Sequence, residues 1–353
     1  MTKLPPDFTV LALETSCDET AAAVIRGGRT IISNEVASQM HLHERYGGVV
    51  PEVASREHIL SMVPVVETAL APLEGGWEAV DAVACTYGPG LAGALLTGVN
   101  VAKGLAWAHG LPLVAVNHLE AHIYANWLVP EGTNPAEHVD PPFPLVCLIV
   151  SGGHTALALL RDHGDYQLLG QTRDDAAGEA FDKAARIMGL GYPGGPRMER
   201  LARGVDTAGL RVPRAWLGDS YDFSFSGVKT HVLHAVGEHK NASNVDGGDE
   251  GFTARLAAAF QEAVVDVLVS KTVRAAEEYG ARCVLLAGGV AANGALRETL
   301  VARSPVPVRY PPIRLCTDNA AMVGAAAYFR YDEGLQHDWS LSVKPNLKLI
   351  PAG

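Results

Sequence analysis

Fifteen residues near the start of the chain recur in outline 135 positions later. Laid over each other, residues 10–24 (VLALETSCDETAAAV) and 145–159 (LVCLIVSGGHTALAL) bring Ser16 onto Ser151 and Thr20 onto Thr155. Each copy is an apolar strand, a short polar turn and a second strand, the pattern of a β-hairpin. A chain with the same hairpin in each half is expected to be a duplicated domain. Its 353 residues are also more than one small core requires.

The stretch VPEGTNPAEHVDPPFP (129–144) is rich in proline and polar residues, as linkers are. The expected layout is an N-terminal α/β domain over 1–130, a linker over 131–144 and a C-terminal α/β domain over 145–318. A last Ala-rich helix, within 319–345, is expected to pack back on the first domain. Residues 79–128 give strand, Gly-rich turn, helix, strand and helix, with Asn117 placed to cap the second helix. Downstream come a long helix over 252–280, then a strand, a Gly-Gly turn and a helix over 282–303. This alternation is the α/β pattern.

The longest clean apolar run, Leu145 to Val150, is far too short to span a bilayer, so no membrane is expected. The opening MTKLPPDF carries no export or organelle signal, and the five cysteines are scattered without a CxxC pair. A cytoplasmic address is expected. The net charge of −11 argues against broad binding to nucleic acid, because phosphate contacts need local positive charge. Two strips supply some: Arg197, Arg200, Arg203, Arg211 and Arg214 in one, Arg297, Arg303, Arg309 and Arg314 in the other. Spacing alone favours a solvated Arg-rich surface for both.

Residues 117–122, NHLEAH, place His118 and His122 one turn apart, about 40° from each other around a helix. That spacing can offer two imidazoles to one metal. The third ligand must come from elsewhere; Asp318, at a helix start in LCTDNAAM, is the first candidate by type and position, with His154, Asp174, Asp175 and Asp182 as rivals. Two histidines and a carboxylate suit Fe(II), with Zn(II) as the alternative. A metallopeptidase helix sets its glutamate about 80° from the midline of the His pair. Here Leu119 and Ala121 hold those positions, while Glu120 lies about 180° away.

Three glycine-rich turns crowd the second half: VSGGHT (150–155), GLGYPGGP (189–196) and LLAGGVAANGALR (285–297). Glycines there let backbone N–H groups approach a phosphate or carboxylate closely. None matches a Walker loop or a dinucleotide fingerprint.

Taken together, these stretches make a specific resemblance. LALETSCDETAAAV, YGGVVPEVASREH, TYGPGLAGALLTGVNVAKGLA, NHLEAH, LIVSGGHT, DDAAGEAFDKAARIMGLGYPGGP, DFSFSGVKT, AGGVAANGALR and CTDNAAM occur in order over most of the chain. The sequence resembles the TsaD (Gcp) family of tRNA N6-adenosine threonylcarbamoyltransferases, whose archaeal and eukaryotic relatives are the Kae proteins. One departure is Ala121, where the family usually has glycine.

The resemblance implies the α/β fold of the actin, sugar kinase and heat-shock-protein superfamily, two duplicated α/β domains around a central cleft. It implies a divalent metal, Fe(II) or Zn(II), on His118, His122 and Asp318. It implies that threonylcarbamoyl-adenylate contacts Ile149, Val150, Ser151, Gly152, Gly153, Asp182, Gly195 and Asn293. The implied reaction is acyl transfer onto N6 of the adenosine 3′ of the anticodon, in tRNAs reading codons that begin with A, with AMP leaving. Glu14 is a candidate for handling the N6 proton. The implied partners are tRNA, a shorter TsaB-type paralogue and a small TsaE-type P-loop ATPase. Two other classes compete: a metalloendopeptidase, suggested by the histidines, and an ATP-dependent kinase or ATPase, suggested by the fold alone.

Overall fold

A computed structural model describes residues 4–129, 134, 137–207, 209–243 and 250–349. The chain forms two compact units. One comprises Met1–Pro141, His163–Asp165 and Pro311–Gly353; the other comprises Pro142–Asp162 and Tyr166–Tyr310.

The first unit is built on a five-stranded sheet ordered β3-β2-β1-β4-β5, from β1 (Thr9–Glu14), β2 (Glu19–Arg26), β3 (Thr30–Ser38), β4 (Ala82–Gly88) and β5 (Leu113–Asn117). β1, β2 and β3 run antiparallel in sequence, whereas β4 is parallel to both β1 and β5. Parallel neighbours need long crossovers, and helices Pro51–Leu70 and Ala92–His109 lie in the segments leading to β4 and β5. Leu11, Leu13, Val24, Met62, Val83, Cys85 and Val99 form the core under these helices. Helix Ala320–Asp332 packs on β1 and β2. It is composed of small residues where it approaches: a Cβ on Gly324 would stand 2.6 Å from Ile25 and 3.3 Å from Ala12.

The second unit repeats the topology. Its sheet is ordered β10-β9-β6-β7-β8, from β6 (Leu145–Val150), β7 (Thr155–Asp162), β8 (Asp165–Gln171), β9 (Cys283–Ala287) and β10 (Val308–Arg309). The hairpin register keeps the sequence offset: Val10↔Ile25 in the first unit becomes Leu145↔Leu160 in the second when 135 is added to each number. The duplicated hairpin is therefore equivalent pair by pair. The 29-residue helix Glu250–Glu278 and the shorter helices Ala177–Ile187, Gly194–Ala202, Ser226–Ser243 and Gly294–Arg303 complete the unit.

The junctions differ from the expected layout. The return to the first unit falls at Pro311, not after 318, so Asp318 belongs with the His pair. The segment ahead of the last helix has to reach β1, which draws the boundary back. The last helix, Ala320–Asp332, falls within the expected 319–345, and Gly334 follows it with a left-handed φ of +90°. The linker expected over 131–144 lies partly outside the described residues; within its described part Asp140 pairs with Arg29.

Candidate functional site

The segment 117–122 forms helix His118–Tyr124 directly after β5. Asn117 caps it, its side-chain oxygen accepting from Leu119 N at 2.9 Å. The helix is buried on every side, between its strand and helix Ala320–Asp332. Glu120 turns to the latter and pairs with Arg330 Nε at 2.7 Å while 2% exposed. Its place opposite the His pair follows from the helical spacing, and it offers no base to that pair.

Asp318 precedes Asn319, which caps helix Ala320–Asp332 by accepting from Met322 N at 3.1 Å. The cap fixes the turn that presents Asp318 to both histidines. Asp318 Oδ1 lies 3.5 Å from His118 Nε2 and 3.2 Å from His122 Nε2. One ligand atom from each of the three residues lies within 4.8 Å of the others. Ligands about 2.0–2.2 Å from a tetrahedral metal stand roughly 3.2–3.6 Å apart, so the spacing fits. The chemistry of the set fits as well. His122 is buried and neither ring nitrogen makes a hydrogen bond among the described residues, with Asp318 Oδ1 standing beside Nε2. A buried imidazole left in that condition is costly, and a divalent cation would satisfy it.

Glu14, at the end of β1, stands behind His118. Its Oε2 lies 3.1 Å from His118 Nδ1 and accepts from Thr86 Oγ1 at 2.6 Å, and its Oε1 accepts from Ser16 N. Ser16 Oγ is 3.1 Å from the same Nδ1. Burial pushes the Glu14 carboxyl up, but the charge and hydrogen bond of His118 outweigh it and leave the group below the ordinary range. Burial likewise opposes protonation of His118, yet Asp318 and Glu14 raise its imidazole to about 9. A carboxylate on Nδ1 that directs Nε2 toward a cation is the usual outer support of a metal-binding histidine.

The second unit holds a cavity of about 190 Å³ lined by Gly152, Asp182, Gly195, Gly289 and Asn293, with Phe181 and Glu199 among its walls. At Gly152, Gly195 and Gly289 an added Cβ would meet nothing within 4 Å, so these glycines leave open room. Asp182 accepts from Gly194 N at 2.7 Å. Burial holds its carboxyl above the ordinary range, although the N–H groups of Gly194 and Gly195 pull it down. Asn293 caps helix Gly294–Arg303, accepting from Leu296 N at 2.9 Å. Ligand pockets run to about 300–1,000 Å³, so this cavity has room for part of a ligand.

Of the eight expected donor positions, Gly152, Asp182, Gly195 and Asn293 line this cavity. Ile149 and Val150 are wholly buried in β6, and the Ser151 hydroxyl accepts from His154 N at 3.1 Å. Gly153 lies in the same turn, with open space where its Cβ would be. The rival metal ligands are engaged otherwise. Asp174 accepts from Phe225 N at 2.8 Å, and Asp175 pairs with Lys183 and Lys229. Sequence reasoning missed Ser16, Thr86 and Glu199. Ser16 carried a signal, since the repeat aligns it with Ser151; Thr86 did not.

A family model described as TsaD, tRNA N6-adenosine threonylcarbamoyltransferase, matches residues 30–325. A tRNA N6-adenosine threonylcarbamoyltransferase of Thermomicrobium roseum is 57% identical, covering 97% of each chain. One from Dehalococcoides mccartyi is 53% identical, over 96% of this chain and 99% of its own. Among solved structures, full-length HypF in its phosphate- and nucleotide-bound form superposes with a TM-score of 0.58 at 12% identity. That match covers 94% of this chain and 47% of HypF. A likeness at that identity establishes the fold, the actin-like ATPase fold.

Proposed function

The chain belongs to the tRNA N6-adenosine threonylcarbamoyltransferase family and is a transferase that modifies tRNA, and we propose how its own residues serve that reaction. The donor is threonylcarbamoyl-adenylate. N6 of the adenosine 3′ of the anticodon attacks the donor's carbamoyl carbon, a C–N bond forms, the C–O bond to phosphate breaks, AMP leaves with that electron pair, and the proton lost from N6 passes to solvent. The donor is already activated, so positioning and charge stabilisation are what the protein must add.

His118, His122 and Asp318 would hold the divalent metal, Fe(II) by preference and Zn(II) otherwise. When bound, it supplies a Lewis acid that orients the donor and stabilises charge on it. Glu14 fixes the tautomer and direction of His118; its full burial behind that ring favours this role over handling the N6 proton. In the second unit, the Gly152–Gly153 turn offers backbone N–H groups to an anion, the Ser151 N–H being donated to His154 O. Asp182 accepts from hydroxyl groups, Asn293 donates an amide hydrogen, and the open glycines admit the nucleoside. The tRNA meets exposed arginines, with TsaB-type and TsaE-type proteins as accessory partners in the cytoplasm. No helix among the described residues is long and apolar enough to cross a membrane.

The observation that carries this reading is the His118–His122–Asp318 group, whose two histidines stand on a helix whose glutamate faces Arg330. The base that a metallopeptidase needs is missing from that helix, where Leu119 and Ala121 stand. Purified protein with the bacterial partners, threonylcarbamoyl-adenylate and unmodified tRNA should yield modified adenosine, whereas casein should remain intact. Absence of the modified base would refute the reading; chelator-sensitive peptide release would restore the peptidase.

A further inference from the structure

Asn293 is oriented from two sides. Its Oδ1 accepts from Leu296 N at 2.9 Å, which only an oxygen can do, so Nδ2 must point the other way. There it donates to Gln261 Oε1 at 2.9 Å. Both residues are more than nine-tenths buried, Gln261 at 8% and Asn293 at 7% exposure. Gln261 sits within the 29-residue helix Glu250–Glu278, a rigid base for such a bond. It is absent from the wall of the glycine-lined cavity and lines instead a neighbouring groove with Ala258, Ala295 and Thr299.

We propose that Gln261 is a positioning residue for donor binding, acting through Asn293. An amide nitrogen carries two hydrogens. One is taken by Gln261; the second has no protein acceptor among the described residues, and Asn293 lines the cavity, where a ligand would receive it. With Oδ1 held by the helix cap and one hydrogen held by Gln261, the direction of the second is fixed before the ligand arrives. Such preorganisation appears in affinity. Loss of the Gln261 acceptor leaves Nδ2 free to tilt and leaves one buried hydrogen unsatisfied. The inference rests on the reading that this cavity takes the adenylate part of the donor.

The test is steady-state kinetics of the full chain with its partners, varying threonylcarbamoyl-adenylate at saturating tRNA, for wild type, Q261L, Q261E, N293D and Q261L/N293D. Q261L should raise the donor KM about five- to tenfold, the worth of one buried hydrogen bond, with kcat and the tRNA KM within about twofold. Q261E keeps the acceptor and should restore the donor KM to within about twofold of wild type. N293D keeps the helix cap but loses the donor, and adding Q261L to it should raise KM no further. If N293D raises KM while Q261L does not, the inference fails and the pocket assignment stands. If N293D changes nothing, the pocket assignment itself fails. Equal losses in Q261L and Q261E, or a Q261L effect undiminished in N293D, would overturn the inference in favour of a packing role. Should Q261L not fold, Q261M removes the acceptor at the same side-chain length.

Discussion

Glu14 Oε2 lies 3.1 Å from His118 Nδ1, while His118 Nε2 faces Asp318. A strand-end carboxylate thus aims a helix-borne imidazole. Replacement by glutamine (E14Q) keeps the size but removes the charge. Metal affinity should fall about 10- to 100-fold. The sign of its pH dependence is set as well. With His118 raised to about 9, protons compete with the metal below that pH, so wild-type affinity should climb as pH rises toward 9. In E14Q one of the charges that raises the imidazole is gone, and the climb should finish at lower pH. Metal titrations between pH 6 and 9 measure both effects; equal affinity and an unchanged profile would rule out the orienting role.

Gly195 and Gly178 should respond oppositely to alanine. A Cβ on Gly195 points into open cavity, so G195A should keep the fold and weaken donor binding. A Cβ on Gly178 would stand 2.6 Å from Ser151 O, which is backbone and cannot swing away. G178A should therefore cost about 1–3 kcal/mol of stability. Thermal unfolding beside donor KM separates the two.

The arginine strips split into two kinds. Arg214 and Arg303 both bond Asp266, and Arg297 Nε donates to Ala291 O, so these brace the second unit. Arg200, Arg203 and Arg211 are exposed. R200E/R203E should weaken tRNA binding and flatten its salt dependence by about two in log-log slope, while the donor KM stays put. R303E should instead lower the melting temperature. An unchanged salt slope in R200E/R203E would mark that surface as plain solvated charge.

Glu19 is a built-in liability at neutral and alkaline pH. Its Oε2 is buried with no hydrogen-bond partner among the described residues, and Oε1 accepts from Ser38 Oγ at 2.9 Å. Burial, helped by Asp18 and Asp318, raises its carboxyl from 4.5 to about 7. Between those values the folded chain binds more protons than the unfolded one, so stability falls as pH rises and the full cost stands above pH 7. E19Q should be more stable than wild type by about 1–2 kcal/mol at pH 8, discounted for partial exposure, and no more stable at pH 4. Urea unfolding of chelator-treated protein at the two pH values gives the comparison.

The hairpin, the His pair and the Asn117 cap were legible because their signals are local: alternation, spacing and an Asn before a helix. Asp318 was legible by type and position alone. Thr86 was not, because it meets Glu14 only through the parallel register of β1 and β4, which no short stretch encodes. The unit boundary at Pro311 was missed for the same reason. The arginine strips looked alike in sequence, since nothing near Arg214 or Arg303 announces that both converge on Asp266.

The register equivalence has a further consequence. Adding 135 turns Glu14 into Ile149 and Cys17-Asp18 into Gly152-Gly153. Two identical halves would carry two like turns, and only their surroundings could tell them apart. In this chain the symmetry is broken within a single polypeptide: one turn keeps the carboxylate that steadies a ligand atom, and the other has shed its side chains. Which half carries the carboxylate and which carries the glycines is thus written into covalent sequence and does not depend on how subunits assemble.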